Sequence, residues 1–137
     1  MAVEHTFTCA LCGANAGRLT VLGPGEVLPD LADVAEFRPS PAILDLANRE
    51  PARARLVQHT PWVEQTFDVT PRVLAGVAAG DASGLYEIEH EMVPFWCPEC
   101  GASYCATHWK TWDVMDDLFF DERRGVCPEG HERQIVD

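Results

Sequence analysis

Apolar residues along this chain fall in short clusters separated by proline and glycine, so the pattern predicts short elements and no long helix or strand. Arg18 to Leu22 predicts a strand, stopped by Gly23-Pro24-Gly25. From Val27 to Phe37 apolar and acidic residues mix without a definable period. Ser40 before Pro41 is a helix start, the hydroxyl serving as N-cap and proline occupying the first helical position. Ile43, Leu44, Leu46 and Ala47 add an apolar stripe, giving a helix from Pro41 to Arg49. Pro51 ends or restarts it, Ala52 to Gln58 predicts a further short helix, and Trp62 to Val69 alternates as a strand. Thr70-Pro71 repeats the start signal for a helix carrying Val73, Leu74, Val77 and Ala78, with Gly80 as its stop. Leu85, Tyr86 and Ile88 read as core-facing residues. Trp109 to Leu118 has apolar residues at helical spacing and predicts another helix.

A chain of 137 residues suffices for one domain, read as residues 1–137, with a modest core. Twenty-two acidic residues against ten basic ones give a formal charge of −12, the reverse of a nucleic-acid binder's footprint, so nucleic acid is not an expected partner. Arg123 and Arg124 are preceded by Asp116, Asp117, Asp121 and Glu122 and read as part of a mixed, solvated face. No apolar run reaches the roughly 20 residues of a membrane span, and Met1 to Cys9 lacks a secretory pattern, which makes the cytoplasm the expected compartment and membranes no partner. Thiols stay reduced there, so the six cysteines are better explained by metal than by disulfides. Nine arginines against the single Lys110, with abundant Ala, Val and Gly, suggest a bacterial genome of high GC content.

Every cysteine belongs to a close pair: Cys9 with Cys12, Cys97 with Cys100, Cys105 with His108, and Cys127 with His131. Structural zinc takes four soft or borderline ligands in a tetrahedron, and a close pair supplies two of them from one tight turn. Eight ligands make two closed sites for two zinc ions. Gly101 after Cys100 suits the sharp turn of a knuckle. Cys105 and His108 are placed by the spacing at the first turn of the Trp109 helix. Two zinc ions and six thiolates take the formal charge from −12 to −14, so the acidic character persists. Structural zinc contributes on the order of 10–16 kcal/mol in small peptides, comparable to a whole domain's stability.

The order of these pairs resembles the cross-brace, treble-clef zinc fingers, the group that includes RING and AN1-type domains, over Thr6 to Arg18 and Pro94 to Arg133. The resemblance implies that alternate pairs share a metal: Cys9, Cys12, Cys105 and His108 at one site, and Cys97, Cys100, Cys127 and His131 at the other. Spacing alone also permits Cys97, Cys100, Cys105 and His108 to close one site while Cys9, Cys12, Cys127 and His131 close the second. The fold implied is α+β: a treble-clef frame over residues 6–22 and 94–133, with a long, mainly helical insertion over 26–93. Eighty-four residues separate Cys12 from Cys97, and the second pair reads C-x-x-C where a RING has C-x-H.

Three functions compete. With both sites closed and an aromatic-rich segment (Phe95, Trp96, Tyr104, Trp109, Trp112, Phe119, Phe120), the first is a non-catalytic protein-interaction or adaptor module with a protein partner. Those aromatics could equally be core around the metal; exposure of Trp112, Phe119 and Phe120 would favour the partner. The second is a thiol-disulfide oxidoreductase, because Trp96-Cys97-Pro98-Glu99-Cys100 is similar to the W-C-x-x-C of thioredoxin-like enzymes, although Gly101 and the lack of a βαβ pattern point to a knuckle. The third is a RING-like ubiquitin-ligase activity, since Leu11, Trp112 and Pro128 look similar to residues RING domains carry. His90-Glu91 completes neither H-E-x-x-H nor H-x-E, and His5, His59 and His90 read as surface or hydrogen-bonded residues. No catalytic residue is assigned.

Overall fold

The structure, a computed structural model, describes residues 2–28, 39–49 and 52–137. Most of the unassigned Val27–Phe37 segment, and Pro51, lie outside the described residues. The elements run β1 (Val3–Thr8), β2 (Asn15–Leu22), α1 (Pro41–Asn48), β3 (Arg55–His59), β4 (Glu64–Asp68), α2 (Pro71–Ala79), α3 (Ala82–Ile88), a single 3-10 turn (His90–Met92), β5 (Trp96–Cys97), β6 (Ala102–Ser103), β7 (Lys110–Asp116), β8 (Phe119–Val126) and β9 (Glu132–Val136). They form three antiparallel sheets, ordered β1-β2-β3-β4, β5-β6 and β7-β8-β9.

The molecule is therefore mostly β, which corrects the expected α+β frame with its long helical insertion. Among the described residues the three helices have only eight, nine and seven residues. Ala52 to Gln58 is not a helix; Arg55–His59 is β3, paired with β2 on one side and β4 on the other. Nor is there a helix after His108: Lys110–Asp116 is β7, so the helix that would complete a treble clef is replaced by a hairpin leg. Thr111 and Val114 are β-branched, and Asp117, at φ 56°, turns the chain straight back into Phe119 and Phe120. Among the described residues, no helix is long and apolar enough to cross a membrane.

The two Ser/Thr-Pro starts are realised. Ser40 Oγ accepts from the Ile43 N–H at 3.2 Å, and Thr70 Oγ1 accepts from the Val73 N–H at 3.2 Å. Gly80 ends α2 in the left-handed conformation, at φ 64°. Trp62 to Val69 contributes β4.

Strand β2 is covered on both faces. Leu19 and Val21, with Leu56 of β3, pack towards Val73 and Val77 of α2 and Leu85 of α3; on the other face Leu22 and Val57 meet Ile43 and Ala47 of α1. Arg55 crosses under α1 and donates to the carbonyls of Ala47 (2.6 Å), Arg53 (2.9 Å) and Glu26, closing this side of the sheet. Gly17 lets Phe95 lie flat on β2, since a Cβ there would sit 2.2 Å from the ring. Phe95 stands two residues before Cys97, so the sheet's core runs directly into a ligand pair.

Candidate metal centres

Three of the four ligand pairs sit in tight turns whose glycine occupies the left-handed region: Gly13 (φ 74°), Gly101 (φ 64°) and Gly130 (φ 90°). Each turn closes on its first cysteine, with Gly13, Gly101 and Gly130 donating to the carbonyls of Cys9 (2.9 Å), Cys97 (2.8 Å) and Cys127 (2.9 Å). The fourth pair closes differently: the His108 N–H donates to the Cys105 carbonyl at 3.0 Å, and the chain leaves into β7.

These turns assemble two sets of four. Cys9, Cys12, Cys105 and His108 converge on one point, and Cys97, Cys100, Cys127 and His131 on another, with all ligand atoms of each set within 4.8 Å of one another. In the first set the Cys12 and Cys105 sulfurs lie 3.7 Å apart, and His108 Nδ1 lies 3.3 Å from Cys9 Sγ and 3.2 Å from Cys105 Sγ. In the second, Cys100 and Cys127 are 3.8 Å apart, and His131 Nδ1 lies 3.2, 3.5 and 3.6 Å from the sulfurs of Cys100, Cys127 and Cys97. The other partition that spacing permits is not formed.

These separations fit a metal and not a disulfide. A bonded sulfur pair is about 2.05 Å apart, and all six cysteines are free. Around a tetrahedral ion with bonds of about 2.3 Å to sulfur and about 2.0 Å to nitrogen, edges fall near 3.8 Å for two sulfurs and near 3.5 Å for sulfur and nitrogen. Both histidines turn Nδ1 inward, and Nε2 of His131 faces Glu99 Oε2 at 3.2 Å, the carboxylate-to-imidazole contact that orients metal-bound histidines.

Electrostatics agrees with the geometry. Burial pushes the Cys9 thiol up, but the N–H groups of Cys105, Cys12 and Leu11, together with His108, outweigh it and bring it down to about 6. Burial pushes Cys97 up to about 11, with the Cys100 and Cys127 thiols crowding it further. Tyr104 is raised by Cys100 first and by its own burial. Thiols this close cannot all ionise side by side without a cation among them.

A layer of buried aromatics surrounds the sets. Trp109 donates from Nε1 to the carbonyls of Tyr104 (3.1 Å) and Phe95 (3.3 Å), and Tyr104, Trp109 and Ile135 pack with Cys9, Cys97, Cys105 and Cys127. Phe95, Trp96, Tyr104 and Trp109 are thus core, whereas Trp112, Phe119 and Phe120 are 41%, 77% and 48% exposed. His59 Nδ1 pairs with Glu64 Oε2 at 2.6 Å, and His5 packs edge-on to Phe7; neither joins a metal set.

Sequence reasoning missed Arg133. Buried, it donates to the carbonyls of Trp96 (2.7 Å), Val93 (2.8 Å) and His90 (3.1 Å), and its guanidinium lies 5.2 Å from the centre of the Tyr86 ring. Burial lowers its pKa to about 10. The available signal is the alternation of β9, which puts Arg133 on the same face as fully buried Ile135.

Fold and donor sets together define a small, mostly β module with two Cys3His clusters able to hold metal ions. The chain belongs to the family described as Domain of unknown function (DUF8328), whose match spans residues 1–137. No curated protein and no solved structure matches it.

Proposed function

We propose that this protein is a non-catalytic interaction module whose two Cys3His sets each hold a structural zinc ion. The observation that carries this reading is that each set supplies all four ligands at tetrahedral spacing, which leaves no position for a water or substrate. Three thiolates and one imidazole in a tetrahedron suit zinc above harder divalent ions. The hairpin of β7 and β8 is the candidate contact surface. One leg begins two residues after His108 and the other ends one residue before Cys127, so the two zinc ions would clamp its base, with exposed Trp112 near that base and exposed Met115, Leu118, Phe119 and Phe120 towards the tip.

The oxidoreductase reading fares less well on the same residues. Cys97 lies in a two-residue strand and not at a helix N-terminus, its thiol is raised, and Cys100 stands nearer to Cys127 and His131 than a free redox pair needs.

Elemental mass spectrometry on native protein, with thiol titration before and after chelation, tests the proposal. It expects two zinc ions per chain and six thiols protected until the chelator is added. Metal-free protein in which Cys97 and Cys100 cycle reversibly to a disulfide contradicts it.

A further inference from the structure

Strand β7 is one edge of its sheet, β9 being the other, and every residue in β7 is exposed except half-buried Val114. Among the described residues its backbone hydrogen bonds run only to β8, so its outer row of N–H and C=O groups has no protein partner. Natural edges are guarded by charged side chains, lysine above all, by proline, a bulge in the edge strand, inward charges or a covering element. Among the described residues β7 has no proline and no covering element, and the bulge in the hairpin places its extra residue, Asp121, in β8, opposite a regular β7; its charges, Lys110, Asp113 and Asp116, are the guard it does carry, and they repel a strand that does not match them. In the four-stranded sheet α2 packs on edge strand β1 and α1 on edge strand β4.

The sequence of β7, Lys-Thr-Trp-Asp-Val-Met-Asp, is complementary to itself when reversed. We propose that β7 pairs antiparallel with β7 of a second copy of this chain about a two-fold axis through Asp113, making one continuous six-stranded sheet. In that register Lys110 faces Asp116 of the other copy, Thr111 faces Met115, and Trp112 faces Val114, each pairing occurring twice by symmetry. Lys110 is the only lysine in the chain, and the register gives it a carboxylate. Residues directly opposite share a face, so Trp112 and Val114 of both copies form a four-residue apolar cluster bounded at each end by an ion pair. The two Asp113 residues meet on the opposite face, but each already accepts from Arg123 Nε at 2.7 Å, so two compensated pairs approach there and not two bare carboxylates.

Other registers lose this match. Sliding two residues one way opposes Lys110 to Val114, and sliding the other way opposes Asp116 to Trp112; a one-residue slip changes the face relationship. The chain's net charge of −12 opposes association at long range, but at about 0.15 M salt charges more than about 8 Å apart are largely screened. This pairing goes beyond the proposed interaction role by naming an occupant for the hairpin edge. Metal content tests the zinc reading and molecular mass tests this one, so either can fail alone.

The experiment is sedimentation equilibrium of the full chain at 0.15 M salt across micromolar to millimolar concentrations, with Lys110→Asp, Asp116→Lys and the double reversal, each checked for unchanged metal content and far-UV circular dichroism. The expected result is a dimer for the natural chain, about tenfold or greater weakening by each single reversal, and restoration to within about threefold in the double variant. A monomer throughout, a dimer indifferent to both single reversals, or a double variant as weak as the singles overturns the proposal.

Discussion

Arg133 donates to the carbonyl of Trp96 at 2.7 Å, tying the strand that follows Cys127 and His131 to the residue that precedes Cys97. The two halves of the second metal set come from segments 27 residues or more apart, and this guanidinium bridges them. Because it serves three buried carbonyls, Arg133→Leu leaves acceptors stranded and is expected to cost about 3 kcal/mol. Arg133→Lys recovers only part of this, since one ammonium cannot span the same fan of acceptors. Urea unfolding of the three proteins checks the order; equal stability for natural chain and Leu variant contradicts it.

A second prediction concerns Gly17, which is needed for space and not for a turn. A methyl group there would drive into the Phe95 ring, so Gly17→Ala should cost about 1–3 kcal/mol. The displacement also reaches Cys97 through two residues of chain. Chelator-driven metal loss should therefore accelerate in this variant, as a zinc-sensitive dye would record.

What could be read from the sequence was local chemistry. Ser40-Pro41 and Thr70-Pro71 announced α1 and α2 because a cap and a proline act within one turn, and the eight residues of the two sets able to hold a metal stood out because a metal draws its ligands from close pairs. What failed was non-local. Arg55–His59 resembles a helix piece only until β2 and β4 flank it, and its mixed pattern reflects a strand buried on both faces. Trp109, Trp112, Met115 and Leu118 have helical spacing, yet the segment is drawn out as β7 by pairing with β8 and by the turn at Asp117. Strand β3, inside the expected insertion, pairs with β2, inside the expected frame, and no local signal in either segment reveals that contact.

Glu99 gives a third prediction. Its carboxylate faces Nε2 of His131, and replacing it with glutamine removes the charge that supports the imidazole while leaving a similar shape. Glu99→Gln should weaken zinc at the second set by about tenfold, the low end of the range for such supports because the carboxylate is solvent-facing. Competition with a chelator should show one weakened ion and one unchanged.

Acid titration supplies the fourth. Burial pushes the Glu64 carboxyl up, but the hydroxyl and N–H of Ser40 and the neighbouring His59 outweigh it and hold the pKa below its usual 4.5. A carboxylate depressed by folding stabilises fully above its unfolded value and loses that contribution as pH falls through the folded value. The stability difference between the natural chain and Glu64→Gln should be present above pH 4.5 and shrink as pH falls below 4.5 through the folded value. A difference that does not shrink between pH 4.5 and about pH 3 contradicts the assignment.

The most direct measurement is X-ray absorption at the zinc edge on native protein. The account predicts an average first shell of three sulfurs at about 2.3 Å and one nitrogen at about 2.0 Å, with no water oxygen. A shell dominated by oxygen or nitrogen, or one holding a solvent ligand, would contradict two closed Cys3His zinc sites.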